Sequence, residues 1–144
     1  MAFTNYVTQT LRASGVTTGT SEQDTAVTLP ETVTSFWVVV DKTAEAGADN
    51  LLTVRLQAQV GSTWFDLSWD SMTTTGGLTT AGDTATNVTR TPNIYDGGSD
   101  ATFTVMAHYA EVPSNVVRVA SVTSGSGPPV NTFSVVATYP LNKF

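Results

Sequence analysis

The residues of this chain that could carry out chemistry are few and widely spaced. The single histidine, His108, lies in the segment MAHYA near the end of an alternating stretch. A lone histidine in that position is usually a hydrogen-bonded structural side chain. A Ser-His-Asp triad would have to include it, yet no G-x-S-x-G motif supplies the serine nucleophile. The sequence therefore does not predict acyl-transfer chemistry.

Two pairs of carboxylates lie close together in the sequence, Asp66 with Asp70 and Asp96 with Asp100. A glycosidase needs two opposed carboxyl groups with separated pKa values in a cleft, whereas the first pair only brackets Trp69 at the end of a strand. The second pair stands in DGGSD, a turn sequence without the longer loop pattern of an EF-hand. The chain has no cysteine, so thiolate metal sites and disulfides are excluded. We therefore predict no enzyme activity, no metal and no cofactor.

Three tryptophans offer a different chemistry, the stacking of an aromatic ring on a sugar. Trp37 lies inside the apolar run FWVVV, and Trp69 shares one strand face with Phe65 and Leu67, so we expect both tryptophans in the core. Trp64, beside a turn, is the tryptophan that we expect to be exposed. One exposed indole makes a poor sugar platform, so the hairpin that carries it is predicted to be mostly core.

The composition describes one weakly charged domain. A length of 144 residues fits a single domain with a substantial core. Only 12% of the residues are charged, which is about half the usual share of a soluble domain, and about a fifth are threonine. Such a surface suits a protein packed densely beside other proteins, although a Thr-rich all-β domain has it for its strand propensity alone.

The charge balance and the apolar segments exclude several partners. Six Lys and Arg residues against twelve Asp and Glu residues give a net charge of −6, which excludes a nucleic-acid-binding surface and a basic membrane-binding surface. The longest apolar run, residues 36–40, is far shorter than the ~20 residues of a membrane-spanning helix. The N-terminal residues lack the basic and apolar regions of a secretory signal, so we expect a product of the cytoplasm.

Alternation of apolar and polar residues predicts strands along most of the chain. The clearest pattern covers residues 52–60, where Arg55, Gln57 and Gln59 share the polar face. Further strands are predicted at 25–29, 34–40, 64–69, 84–89, 102–107, 117–121 and 133–139. Residues 41–50 are predicted as a loop, and 71–83 as a long loop or a loosely paired edge. The strand at 34–40 is apolar on both faces, which predicts that both faces are covered.

These seven to nine short strands predict an all-β fold. We expect an antiparallel β-sandwich or jelly roll as a single domain over residues 25–144. Residues 1–24 are predicted to form a polar N-terminal arm that cannot fold alone.

Two parts of the chain resemble small head proteins of tailed bacteriophages. The first runs from FWVVVD through KTAEAGADN to LTVRLQAQV and WFDLSW, and the second from NVVRVASVTSG through a Gly/Pro turn to NTFSVVATYP. Together they cover residues 33–70 and 112–140. Their order of strands is similar to that of capsid decoration proteins, also called cement proteins. Neither the arm nor residues 71–100 add to the resemblance.

The resemblance implies a structural protein of the virion. Decoration proteins coat the outer surface of an expanded capsid and commonly form trimers. It therefore implies a homotrimer, made in the host cytoplasm, whose partner is the lattice of the major capsid protein. The alternative, from a different functional class, is a carbohydrate-binding or receptor-binding sandwich, including one associated with a phage tail.

The arm carries the candidate protein-interaction residues Phe3, Tyr6 and Leu11. Burial of each side chain would contribute roughly 1.5–3 kcal/mol, but only if some surface covers it. We predict that a neighbouring subunit or the capsid supplies that surface and that the arm adds a strand to it. The alternative is a first strand folded back on its own sandwich.

Overall fold

The computed structural model of the chain describes residues 5–17, 21–75, 92–96 and 102–141. These residues contain no helix, and hence none that could cross a membrane. Their strands, in chain order, are β1 (Asn5–Thr17), β2 (Ser21–Gln23), β3 (Val27–Thr28), β4 (Phe36–Val60), β5 (Thr63–Asp66), β6 (Ser71–Thr75), β7 (Asn93–Asp96), β8 (Phe103–Tyr109) and β9 (Val116–Leu141). Each pairing between these strands is antiparallel.

Two long strands, β4 and β9, form a ribbon that belongs to both sheets of the fold. Their ladder covers β4 from Trp37 to Ala58, and its register shifts three times between Lys42 and Leu51. Such irregularities let a pair of strands bend. The ribbon therefore passes from one sheet to the other within this stretch.

The two sheets share the ribbon and divide the remaining strands. The first sheet contains β1, the second half of β9, the first half of β4, β8 and β6 in that order. The second sheet contains the other halves of β9 and β4, with β2 and β3 beside β9 and with β5 and β7 beside β4. The two antiparallel sheets pack against each other, which confirms the predicted all-β sandwich.

The core lies between the sheets and follows the predicted alternation. The fully buried positions of β4 in the second sheet are Leu52, Val54, Leu56 and Ala58. The buried apolar positions of β9 in the first sheet are Phe133, Val135, Ala137 and Tyr139. A one-residue slip of either strand would move its whole apolar set to the solvent face, so this pattern specifies the register.

Residues 41–50, predicted as a loop, are part of β4 instead. The buried amide of Asn50 donates to the backbone oxygens of Ala46 and Val130 at 2.9 and 2.8 Å. The amide of Asn131 donates to Asn50 Oδ1 at 2.8 Å. These bonds stabilise the ribbon where its register is irregular. The prediction was wrong because glycine and charged residues suggest a loop locally, whereas the bonds from Asn50 to Val130 and from Asn131 to Asn50 join residues about 80 positions apart.

Residues 5–17, predicted as part of a separate arm, form β1 and pair with β9. Leu11, predicted to contact a neighbouring protein, is only 4% exposed and belongs to the core of its own chain. The alternative of a strand folded back on its own sandwich is therefore what the structure contains. Local composition misses this arrangement because the strand that pairs with β1 lies more than 100 residues later.

Two further predicted elements correspond to strands at the other edge of the first sheet. Residues 71–75 form β6 and pair with β8. Of the two alternatives predicted for residues 71–83, a long loop or a paired edge, these five residues follow the second. The strand predicted at 102–107 is β8. The strand predicted at 84–89 lies outside the described residues.

Candidate interaction surfaces

The outer face of the first sheet has an apolar row at its centre. Val136 of β9, Val39 of β4 and Met106 of β8 are direct neighbours across three adjacent strands. The two valines are partly buried and Met106 is 38% exposed. Strand 34–40 was predicted to be covered on both faces, and the core covers only its inner face. Apolar side chains that lie together on an exposed sheet face can mark a contact surface.

A second row beside it contains the single histidine. Trp37 of β4 lies opposite His108 of β8, with ring centroids 4.8 Å apart. His108 Nδ1 is 2.8 Å from Asp70 Oδ1, and the backbone N–H of Asp70 donates to the carbonyl oxygen of His108. These contacts fit a structural role for the histidine. They also place Trp37 on the outer face, partly buried, and not in the predicted core.

Strand β1 extends the outer face to the edge of the first sheet. Tyr6 and Val16 are 66% and 55% exposed, and they lie opposite the outward-facing Pro140 and Thr132 of β9. An edge strand is commonly protected by charged side chains or proline. The single charged residue of β1 is Arg12, which turns towards Asp24. The register shifts between Thr10 and Gly15 are the protective feature that remains.

Arg12 connects β1 to the segment that follows β2. Its Nη1 donates to Asp24 Oδ1 at 2.7 Å, and its guanidinium carbon lies 4.2 Å from the ring centroid of Phe133. Burial raises the pKa of Asp24, and the neighbouring Arg12 opposes this effect without cancelling it. A shallow cavity of about 340 Å³ opens beside the pair, where Leu11 and Val27 form part of its apolar wall.

The outer face of the second sheet carries a ladder of polar side chains across three strands. Asp66 of β5 accepts from Arg55 Nη1 at 3.0 Å and from Gln57 Nε2 at 2.9 Å. Gln57 in turn accepts from Arg118 Nε at 2.8 Å. The polar face predicted for residues 52–60 therefore binds its own neighbours through Arg55 and Gln57.

Trp64 lies at the end of this ladder beneath a cation. The guanidinium carbon of Arg118 is 4.2 Å from the centroid of the indole ring, and the indole is partly buried. A sugar stacked on that side of the ring would have to displace Arg118. The geometry gives no support to a sugar platform here.

Phe65 shows where the predicted aromatic face departs from the structure. Leu67 and Trp69 are buried as predicted, but Phe65 is 51% exposed. It pairs with the buried Ala58, so its strand face is the predicted one. Because β5 flanks the ribbon at one side of the second sheet, a large side chain there reaches past the core.

The structure does not bring together the two predicted interaction residues that it describes, Tyr6 and Leu11. Tyr6 is exposed on the outer face, Leu11 is in the core, and Phe3 lies outside the described residues. Sequence reasoning missed Met106 and Arg118. The alternation of Arg118 with Val117 and Val119 places it on an outer face, but its partners belong to strands that only the tertiary structure brings near. Among the described residues, no three His, Cys, Asp or Glu side chains form a metal site.

Comparison with known proteins identifies no relative of the chain. No family model matches it, and neither does any curated protein or solved structure.

Proposed function

We propose that the protein is a structural component of a tailed-phage head that decorates and stabilises the expanded capsid as a homotrimer, without enzymatic activity. The observation that carries the proposal is the apolar row of the first sheet, Val136, Val39 and Met106. In the virion the protein would lie on the outer capsid surface, with this face against the lattice of the major capsid protein.

The surroundings of the row support a role in protein contact. Thr138, Ser134 and Thr104 occupy neighbouring outward positions on the same strands. An apolar centre with a polar rim is the usual anatomy of a protein interface. Hydroxyl groups can exchange water for a partner's hydrogen bonds at a smaller desolvation cost than charged groups. A weakly charged Thr-rich rim therefore suits a surface that becomes covered.

Binding to an assembled lattice is sufficient for the proposed activity. A protein that binds the assembled capsid and not its free subunits stabilises the capsid by mass action. Trimerisation strengthens weak contacts, because the second and third subunits bind at high effective concentration once the first is bound. The edge of β1 offers main-chain hydrogen bonds to a neighbouring strand.

Co-sedimentation with expanded empty capsids of the phage that encodes the chain tests the proposal. We expect the wild type to sediment with capsids, and we expect Met106→Lys to bind at least about tenfold more weakly because a charge is buried at the contact. Val60→Lys is the matched control, since Val60 is 45% exposed on the hairpin of the second sheet. A wild type that does not sediment with capsids but binds a glycan array would overturn the proposal in favour of a carbohydrate-binding role.

The proposed oligomer has a separate test. Light scattering should give about three times the chain mass of 15.2 kDa. A protein that is a monomer in solution and also when bound to capsids would rule out the trimer.

A further inference from the structure

Arg118 differs from the other basic residues that the structure describes. Arg12, Lys42 and Arg55 each form an ion pair, with Asp24, Glu45 and Asp66 respectively. No carboxylate of the described residues lies within ion-pairing distance of Arg118. In a chain with a net charge of −6, an arginine without a carboxylate partner requires an explanation.

The guanidinium of Arg118 is nevertheless held in place. Its Nε donates to Gln57 Oε1 at 2.8 Å, and its guanidinium carbon lies 4.2 Å from the centroid of the Trp64 ring. Gln57 is fixed in turn by its bond to Asp66. The two terminal nitrogens, Nη1 and Nη2, have no partner within the described part of the chain and are not buried. The side chain is therefore oriented while its two outer donors stay free.

We propose that Arg118 and Trp64 form a binding site for a carboxylate group of a partner protein. The free Nη1 and Nη2 donors match the two oxygens of a planar carboxylate, which a guanidinium binds bidentately. The bond to Gln57 and the contact with the indole orient the planar guanidinium, with its two free nitrogens, before the partner binds. Less side-chain entropy is therefore lost on binding.

The local charges favour a carboxylate over a phosphate. On this face Arg55 is neutralised by Asp66, which leaves one positive charge at Arg118. A single positive charge balances a carboxylate, whereas a phosphate dianion would stay partly unbalanced beside Asp66. The indole beneath the guanidinium adds cation–π attraction and shields one side of the contact from water. Arginine and tryptophan together are also the residue types that most often dominate interface energies.

An NMR titration of the full chain tests this site without reference to capsids, so its failure would leave the proposed function untouched. The probes are acetyl-Gly-Glu-Gly-amide, its Gln analogue and inorganic phosphate, at constant ionic strength. The readouts are the indole N–H resonance of Trp64, assigned with Trp64→Phe, and the Nε–H resonance of Arg118. We expect the Glu peptide to shift both resonances with an initial slope at least about three times that of either other probe.

Variants of Arg118 distinguish the effect of the planar guanidinium geometry from the effect of the positive charge. Arg118→Lys keeps the charge but lacks the planar guanidinium, and it should reduce the Glu-dependent shift of the Trp64 indole about threefold. Thr53→Ala, on the same face of β4, is the control and should respond as the wild type does. Equal slopes for the Glu and Gln peptides, or an unchanged response in Arg118→Lys, would overturn the proposal. A phosphate response that equals or exceeds that of the Glu peptide would replace the carboxylate site with a general anion site.

Discussion

Arg12 and Asp24 form an ion pair, with 2.7 Å between Nη1 and Oδ1, that links the edge strand of one sheet to the border of the other. Arg12 belongs to β1 in the first sheet. The backbone N–H of Asp24 donates to Val119 in the part of β9 that lies in the second sheet. The pair therefore fixes β1 relative to both layers of the sandwich, and its charge state should influence the stability of the fold.

Asp24 should give the protein a stability that falls as the pH rises. Burial raises the pKa of this carboxyl above its ordinary value of 3.8. Between the ordinary and the raised pKa, the folded state keeps a proton that the unfolded state has released, so increasing pH favours unfolding. The free energy of unfolding of the wild type, minus that of Asp24→Asn, should decrease as the pH rises from about 3.8 through the raised pKa.

Urea denaturation of both proteins across this interval measures the difference. Subtraction of the variant removes the contribution of the other carboxylates. A difference that increases with pH would mean that the attraction of Arg12 outweighs burial and that the pKa of Asp24 is lowered.

The position of Leu11 in the core predicts a large effect of its truncation. Leu11→Ala should lower the free energy of unfolding by about 2–5 kcal/mol, the usual cost of a cavity in a packed core. Tyr6→Ala, on the same strand but 66% exposed, should change it by no more than about 0.5 kcal/mol. Chemical denaturation of the isolated chain tests both variants. Similar small losses would show that β1 is not part of the stable sandwich.

Substitutions on the two faces of β4 should differ less in their effect on the free energy of unfolding than the sequence alone predicts. Leu56→Ala should cost about 2–5 kcal/mol, because Leu56 is fully buried. If its face were simply solvated, Gln57→Ala would cost within about 0.5 kcal/mol. The structure instead gives Gln57 bonds to Asp66 and Arg118, so we expect a loss of about 1–2 kcal/mol.

Gln59→Ala is the matched control for that substitution, on the same face of the strand. We expect it to be nearly neutral by chemical denaturation. A loss at Gln57 no larger than at Gln59 would mean that the ladder contributes nothing to stability.

Sequence periodicity predicted the sandwich and the buried faces of residues 52–60 and 133–139, but it missed the outer face of residues 34–40 and could not place the edges. Alternation over 52–60 and 133–139 is a local pattern that reports burial directly, so the buried residues there agree with the prediction. The burial of Leu11 and the strand conformation of residues 41–50 depend on β9, which lies about 80 residues or more later in the chain. The exposure of Phe65 depends on the position of β5 at one side of the second sheet. The outer-face row of Val39, Val136 and Met106 likewise exists only because three strands align. Pairing across long sequence separations is what single-sequence patterns do not contain.

Tyr109 provides a final test of the core, because its hydroxyl group is a polar atom in an apolar place. The side chain is 1% exposed and its ring lies 5.8 Å from that of Phe36. The hydroxyl has no hydrogen-bond partner among the described residues, and burial raises its pKa. A buried hydroxyl without a partner costs about 1–3 kcal/mol. Tyr109→Phe should therefore leave the free energy of unfolding unchanged or raise it by about 1 kcal/mol, as measured by urea denaturation.

Tyr139→Phe is the matched control, since Tyr139 donates to Gln9 at 2.8 Å. This substitution should lower the free energy of unfolding by about 1 kcal/mol. A loss at Tyr109 as large as that at Tyr139 would show that its hydroxyl is hydrogen-bonded in the folded protein.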